Sequence, residues 1–188
     1  MGFGTIFVTI AMVVILSISS YLFLTGALFS MDMISDSLKN INELDNERVK
    51  TEIKIVEVTL SSTDPSAGRD INVSINNTGS TKIVNSDFKQ IDVFVHYQNY
   101  TGAENITIHR WIRYNSSLAF SVDNGALGNN EWTVVQITPD LINPRVFDPD
   151  EQMEIMIRVY PALGNRSSAM QNRTKIVMPN GVSNEKYF

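Results

Sequence analysis

The first 31 residues, Met1 to Met31, contain no Asp, Glu, Lys or Arg; Asp32 is the first charged side chain and Lys39 the first cationic one. Wound as an α-helix, such a run is about 45 Å long, more than the ~30 Å hydrocarbon core of a bilayer. A helix of this kind needs apolar surroundings along its whole length, either lipid or the core of a helical assembly. After the helix and a short extension, about 140 residues remain, enough for one folded domain with its own core.

A cleaved secretory signal has a basic start, an apolar stretch of roughly 7–15 residues and a small-residue cleavage site. Here only Met1-Gly2 precedes the apolar run, which is about twice that length, and Asp32 follows it directly. The segment is therefore expected to stay on the chain. Small and hydroxylated residues along it, Gly4, Ala11, Ser19 and Gly26 among them, are the candidates for close approach to another helix.

The formal net charge of -5 removes the electrostatic support a nucleic-acid role would need. The absence of Cys removes disulfides, thiol catalysis and Cys-based zinc sites together. Orientation across a membrane is not set by flanking Lys or Arg, which are almost missing. It rests instead on seven Asn-x-Ser/Thr sites, Asn72, Asn76, Asn99, Asn105, Asn115, Asn165 and Asn172, about twice what this Asn, Ser and Thr content gives by chance. In Ile71-Asn72-Val73-Ser74-Ile75 and Asn105-Ile106-Thr107-Ile108 the sequon residues alternate with apolar ones. That period places Asn and Ser/Thr on the solvent face, open to glycosylation, and the C-terminal domain outside the cell.

Three segments follow: a transmembrane or assembly helix over 1–31, an amphipathic helical extension over 32–50 and a β domain over 51–188. In the extension Ile34, Leu38, Ile41 and Leu44 keep a 3–4 spacing against a polar remainder. At Thr51 the period changes to two, with Ile53, Ile55, Val58 and Leu60 apolar and a slip at Val56. Further strands are expected at 71–76, 81–84, 90–97, 105–114, 118–122, 131–138, 152–160 and 174–178. Breaks fall at the 61–68 cluster, Asn77-Thr78-Gly79, Thr101-Gly102, Asn124-Gly125, Gly128-Asn129, Pro139, Pro144, Pro149 and Gly164-Asn165. Many short strands without helices between them predict a mainly β fold, a long N-terminal helix followed by an immunoglobulin-like antiparallel β-sandwich. The narrow stripe of the extension and unpaired sheet edges predict self-association into a homo-oligomer.

Motifs for chemistry are sparse. His96 and His109 stand on separate strands without an H-x-x-H or H-E-x-x-H context, and surface histidines are the simpler reading than a metal pair. Asp148-Pro149-Asp150-Glu151 offers oxygen ligands for Ca²⁺ through Asp148, Asp150 and Glu151, but it lacks the EF-hand skeleton and equally forms a turn entering a strand. No G-x-S-x-G, P-loop or G-x-G-x-x-G is present, so no enzyme and no cofactor is expected.

Met1-Gly2-Phe3 opening into Gly4-Thr5-Ile6-Phe7-Val8-Thr9-Ile10-Ala11-Met12-Val13, an amphipathic extension, Ile71 to Ser80, Phe147-Asp148-Pro149-Asp150-Glu151 and the closing Lys175-Ile176-Val177-Met178-Pro179-Asn180-Gly181-Val182 make up a familiar layout. It resembles the archaeal archaellum (flagellar) accessory proteins F and G, relatives of archaellins and type IV pilin-like proteins. The resemblance implies a non-enzymatic stator or anchor. Such a protein is tethered in the cell membrane by residues 1–31 and crosses the pseudoperiplasmic space. It binds the S-layer protein, alongside the other accessory protein and archaellum components, so that the motility filament can rotate. The pattern Gly2, Gly4, Thr5 and Ala11 also resembles the assembly helix of archaellins. The alternative it implies is a filament subunit, extracellular and packed through that helix. A calcium-dependent adhesin or extracellular enzyme built on Asp148, Asp150 and Glu151 is a third reading.

Overall fold

The computed structural model describes residues 2–61, 69–101, 104–121, 126–163 and 172–188. The expected breaks at Gly102, Asn124-Gly125 and Gly164-Asn165, and nearly all of the 61–68 cluster, lie outside the described residues. Two compact units are present, Met1–Asn46 and Glu47–Phe188. One α-helix, α1, runs from Phe3 to Lys50, and none of its residues is buried within the chain.

Among the described residues the second unit contains eight strands: β1 (Ile53–Ser61), β2 (Arg69–Asn77), β3 (Asp92–Thr101), β4 (Glu104–Tyr114), β5 (Glu131–Thr138), β6 (Gln152–Val159), β7 (Arg173–Val177) and β8 (Ser183–Tyr187). Their order is β1-β2-β6-β5-β4-β3-β7-β8. Two four-stranded halves share this order, β1-β2-β6-β5 and β4-β3-β7-β8. They follow the ABED and C′CFG orders of an immunoglobulin-type sandwich. All pairings are antiparallel except a short parallel contact of β4 with β5, where Arg113 meets Glu131 and Tyr114 meets Trp132. That contact joins the halves on one side.

Alternation builds the core. Ile71, Val73 and Ile75 are fully buried on β2, and Met153, Ile155, Ile157 and Val159 on β6, facing Val93, Val95 and Tyr97 on β3 and Ile176 on β7. The slip expected at Val56 is a bulge between Ile55 and Glu57. It lets Ile53 and Ile55 stay inside while the strand bends.

The observed elements depart from expectation in four places. Residues 81–84 make only a bridge, Ile83 to Phe147, before a 3-10 turn over Asn85–Gln90. Ser116–Leu118 is likewise a 3-10 turn, capped by the Asn115 side chain, where a strand was expected over 118–122. Ser183–Tyr187 is a strand that alternation does not announce, because its residues are all polar or half-exposed. The Asn105-Ile106-Thr107-Ile108 alternation also departs: Ile106 is 48% exposed. Among the described residues β4 meets β5 only at Arg113 and Tyr114, so its start lacks a strand on that flank.

The outer edges of the halves meet each other. Asn184 Oδ1 on β8 accepts the Ile55 N–H of β1 at 3.1 Å, and Lys186 Nζ donates to the Val56 carbonyl. Side chains of a polar strand thereby satisfy the backbone of a bulged one, and two edges that invite foreign strands are blunted.

The last turn of α1 belongs to this unit. Ser80 N–H caps the Lys50 carbonyl at 2.7 Å, and Thr78 and Gly79 N–H groups donate to Glu52 O at 2.9 and 3.0 Å. Arg48 Nε donates to Asn180 O, and Asn180 Nδ2 to Thr51 Oγ1, each at 2.7 Å. A Cβ on Gly79 would stand 2.4 Å from Glu52 N and 2.5 Å from Lys50 O. Both obstacles are backbone, so the strand end or the helix end must move. Gly79→Ala is expected to cost about 2 kcal/mol, as overpacking does. A urea melt of the full chain in detergent checks this, and an unchanged midpoint would refute the close approach.

Candidate functional site

Two surfaces remain after the core is filled. The first is α1 from Phe3 to Met31. Val13-Val14-Ile15-Leu16 and Tyr21-Leu22-Phe23-Leu24 each cover a full turn, so large apolar groups point in every direction, all of them at least half exposed. Several of the hydroxyls among them are satisfied inside the helix. Thr9 donates to Thr5 O, Ser17 to Val13 O, Thr25 to Tyr21 O and Ser30 to Gly26 O, at 2.8 to 3.0 Å. Such back-bonding leaves little demand for water. Gly4, Ala11, Ser19 and Gly26 fall within about 80° of one another around the axis at 3.6 residues per turn. At Gly4 and Gly26 nothing lies within 4 Å of an added Cβ.

The second surface is the outer face of β8, β7, β3 and β4. Strand register lines up Tyr187, Arg173, His96 and His109 in one row and Glu185, Lys175, Phe94 and Trp111 in the next. Phe94, Trp111 and Tyr187 are 41%, 54% and 54% exposed. Trp111 Nε1 donates to Asp92 Oδ1 at 2.8 Å, which fixes the indole on the sheet. Arg173 pairs with Glu185 at 3.3 Å and lies over the Tyr187 ring. His96 and His109 place their Nδ1 atoms 2.9 Å apart. Partial burial, then the neighbouring His109 and Arg173, holds the His96 imidazole below its ordinary pKa. A depression of about 470 Å³ lies over this ladder. The histidines are visible as letters, but their pairing depends on register, and Phe94 and Tyr187 carry no signal of their own.

The acidic segment Asp148, Asp150 and Glu151 is used by its own turn. Asp148 and Glu151 are each 5% exposed. Asn143 Nδ2 donates to both Asp148 carboxylate oxygens, at 3.0 and 3.2 Å, and Asp148 N–H donates to Glu151 Oε2 at 2.9 Å. Burial chiefly raises the Glu151 pKa, and the Asp148 and Asp140 charges add to it. Asp150 occupies the left-handed region at φ 65° and its N–H donates to Asn77 O. Among the described residues no three His, Asp or Glu are grouped to hold a metal ion.

The sequons differ in access. Asn72 is exposed. Asn76 has its Oδ1 buried, and Asn99 is 8% exposed with Nδ2 donating to Ala162 O at 2.9 Å. Asn115 Nδ2 donates to Glu131 Oε2 at 2.7 Å, and Asn172 Oδ1 accepts from Gln98 N–H at 3.2 Å. The Asn105 side chain and all of Asn165 lie outside the described residues. Glu131 is a carboxylate that motif reading passes over. It gathers Asn115, Arg113 and the Gly128 N–H, and these donors, led by Asn115, lower its pKa.

The model of the archaeal-type flagellin family matches residues 1–188. The chain belongs to the archaeal-type flagellin family. As a member it is an archaellum-related protein, in a structural family not known for enzymes. The archaeal flagellum of Methanospirillum hungatei strain JF1 shares its fold at a TM-score of 0.51 and 12% identity, over 100% of this chain and 92% of that one. The archaellum periplasmic stator protein FlaG from Sulfolobus acidocaldarius aligns at 0.46 and 20% identity, over 73% of this chain and 99% of that one. The FlaF and FlaG stator complex from the same organism aligns at 0.44 and 20%, over 73% and 89%. No curated protein sequence matches the chain.

Proposed function

We propose that this member of the archaeal-type flagellin family is an archaellum accessory protein of the anchor or stator kind. Its apolar helix is held in the cell membrane, and its β unit lies outside and grips the S-layer. The observation that carries the anchor is an abrupt change along the helix axis at Asp32. Before it the helix is apolar all round for 29 residues, Phe3 to Met31, about 43 Å and close to a bilayer with its interfaces. After it, eight of the 19 residues from Asp32 to Lys50 are charged and only a narrow stripe remains. A bilayer fits such an axial boundary, where the apolar core gives way to water, although the core of a helical assembly also holds helices that are apolar all round. The exposed aromatic and cationic ladder around Trp111 supports a docking role for the β unit.

The second reading is a filament subunit. The family description and the fold shared with a filament over the whole chain favour it.

A tagged copy in the native cell separates the two. After filaments are sheared off, the tag is expected to remain with the membranes and to need detergent for extraction. Recovery of the tag as a main protein of the sheared filaments would reverse the order of the readings. The detergent-extracted chain is also expected to cosediment with isolated S-layer sheets; failure there removes the S-layer and leaves the anchor.

A further inference from the structure

We infer that His96 and His109 form a two-histidine clamp for a divalent transition metal on the outer face of β3 and β4. The two residues are direct cross-strand partners, so the backbone ladder fixes the separation of their main chains. β3 lies between β4 and β7, which leaves the His96 main chain little freedom. The rings stand 4.1 Å apart between centroids and 63° from coplanar, with the Nδ1 atoms 2.9 Å apart.

That distance has two chemical uses. Without metal, one neutral imidazole donates its Nδ1–H to the other. With metal, two imidazole nitrogens about 2.05 Å from one ion and at right angles around it stand about 2.9 Å apart, while a tetrahedral pair needs about 3.3 Å. The observed spacing therefore matches a cis, right-angled bite. Tetragonal Cu²⁺ and Ni²⁺ accept such a bite more readily than tetrahedral Zn²⁺. Binding needs both Nδ1 lone pairs. The single shared proton moves to Nε2 of the same ring by tautomerisation, so no net proton leaves two neutral imidazoles.

The surroundings permit it. His109 is exposed and His96 half-buried, and the depression beside them leaves room for water or a partner's ligand to complete the coordination. Arg173, in the same row on β7, is the cation nearest in register, and its charge is offset by Glu185 at 3.3 Å. In the adjoining row Lys175 faces Glu185, and Asp92 lies beyond Phe94 with Trp111 as its donor. The site goes beyond the anchor reading and stands or falls without it.

The test uses the full chain in detergent without a histidine tag. Titration with Cu²⁺ and Ni²⁺ near pH 7.5 is expected to show one ion per chain. His96→Asn and His109→Asn are each expected to weaken it by about tenfold or more, the scale on which even an outer-shell partner matters. Electron paramagnetic resonance of the wild-type Cu²⁺ complex is expected to show two coupled imidazole nitrogens, and a reading on the unaltered chain does not depend on variants folding. Acidification to about pH 5.5 should release the ion as the imidazoles take up protons. Wild-type affinity in both variants, a spectrum without imidazole nitrogens, or no bound ion would overturn the clamp.

Discussion

Leu16→Arg is expected to remove most of the chain from the membrane fraction, while Leu38→Arg leaves it there. Leu16 lies at the middle of the charge-free stretch, among Val13, Val14 and Ile15 on the neighbouring sides of the helix. On insertion scales a central Leu favours the bilayer slightly and a central Arg opposes it, a combined change of about 3 kcal/mol. Converted to a partition ratio, this is roughly a hundredfold. Snorkelling offers little relief, because the ends of the stretch are each about 20 Å away at 1.5 Å per residue. Leu38 lies about 10 Å past Met31, where the helix already carries Asp32 and Asp36. An arginine there replaces one apolar group in water. Carbonate extraction followed by sedimentation reads both variants. The contrast between the two positions decides the matter: equal loss at 16 and 38 would mean that no membrane boundary lies between them.

Much of this architecture was legible because it is written in local patterns. Asp32 marks the boundary by composition alone. The change from a 3–4 spacing to strict alternation at Thr51 marks where α1 gives way to β1, and Ile71, Val73 and Ile75 alternate because one face of β2 is dry. Even the Val56 bulge left a trace as a break in the alternation. What escaped depends on contacts between distant residues. Ser183–Tyr187 pairs with β7 through its backbone, and its Asn184 and Lys186 act on β1 some 130 residues earlier in the chain. Nothing in Ser-Asn-Glu-Lys-Tyr announces that task. Residues 81–84 have apolar letters but spend them on a single bridge and on burying Ile83. The histidine pair required the β3–β4 register. The carboxylate of Glu131 found its donors at Asn115, Arg113 and Gly128 through the parallel β4–β5 contact, a junction no periodicity encodes.

That junction holds the largest effect expected in the β unit. Trp132→Ala should destabilise it by about 4 kcal/mol, within the range for removing a fully buried aromatic side chain. Trp132 has no exposed surface and stands opposite Ile157 in the β5–β6 ladder. Its ring lies 4.5 Å from that of Tyr114, its partner in the parallel contact. Truncation therefore opens a cavity beside the short parallel contact through which β4 and β5 join the two halves of the sandwich. For a unit of this size the loss corresponds to a fall in melting temperature on the order of 10–15 °C. Trp132→Phe separates packing from polarity. The indole N–H is buried and has no acceptor among the described residues. Phe removes that cost of about 1–3 kcal/mol while it keeps most of the ring contact. The Phe variant should melt within a few degrees of the wild type, although it too loses volume. Calorimetry on both variants gives the answer. If Phe is as damaging as Ala, the N–H has a partner that matters and the joint depends on a hydrogen bond; if Ala is tolerated, the halves are held by the β1–β8 seam instead.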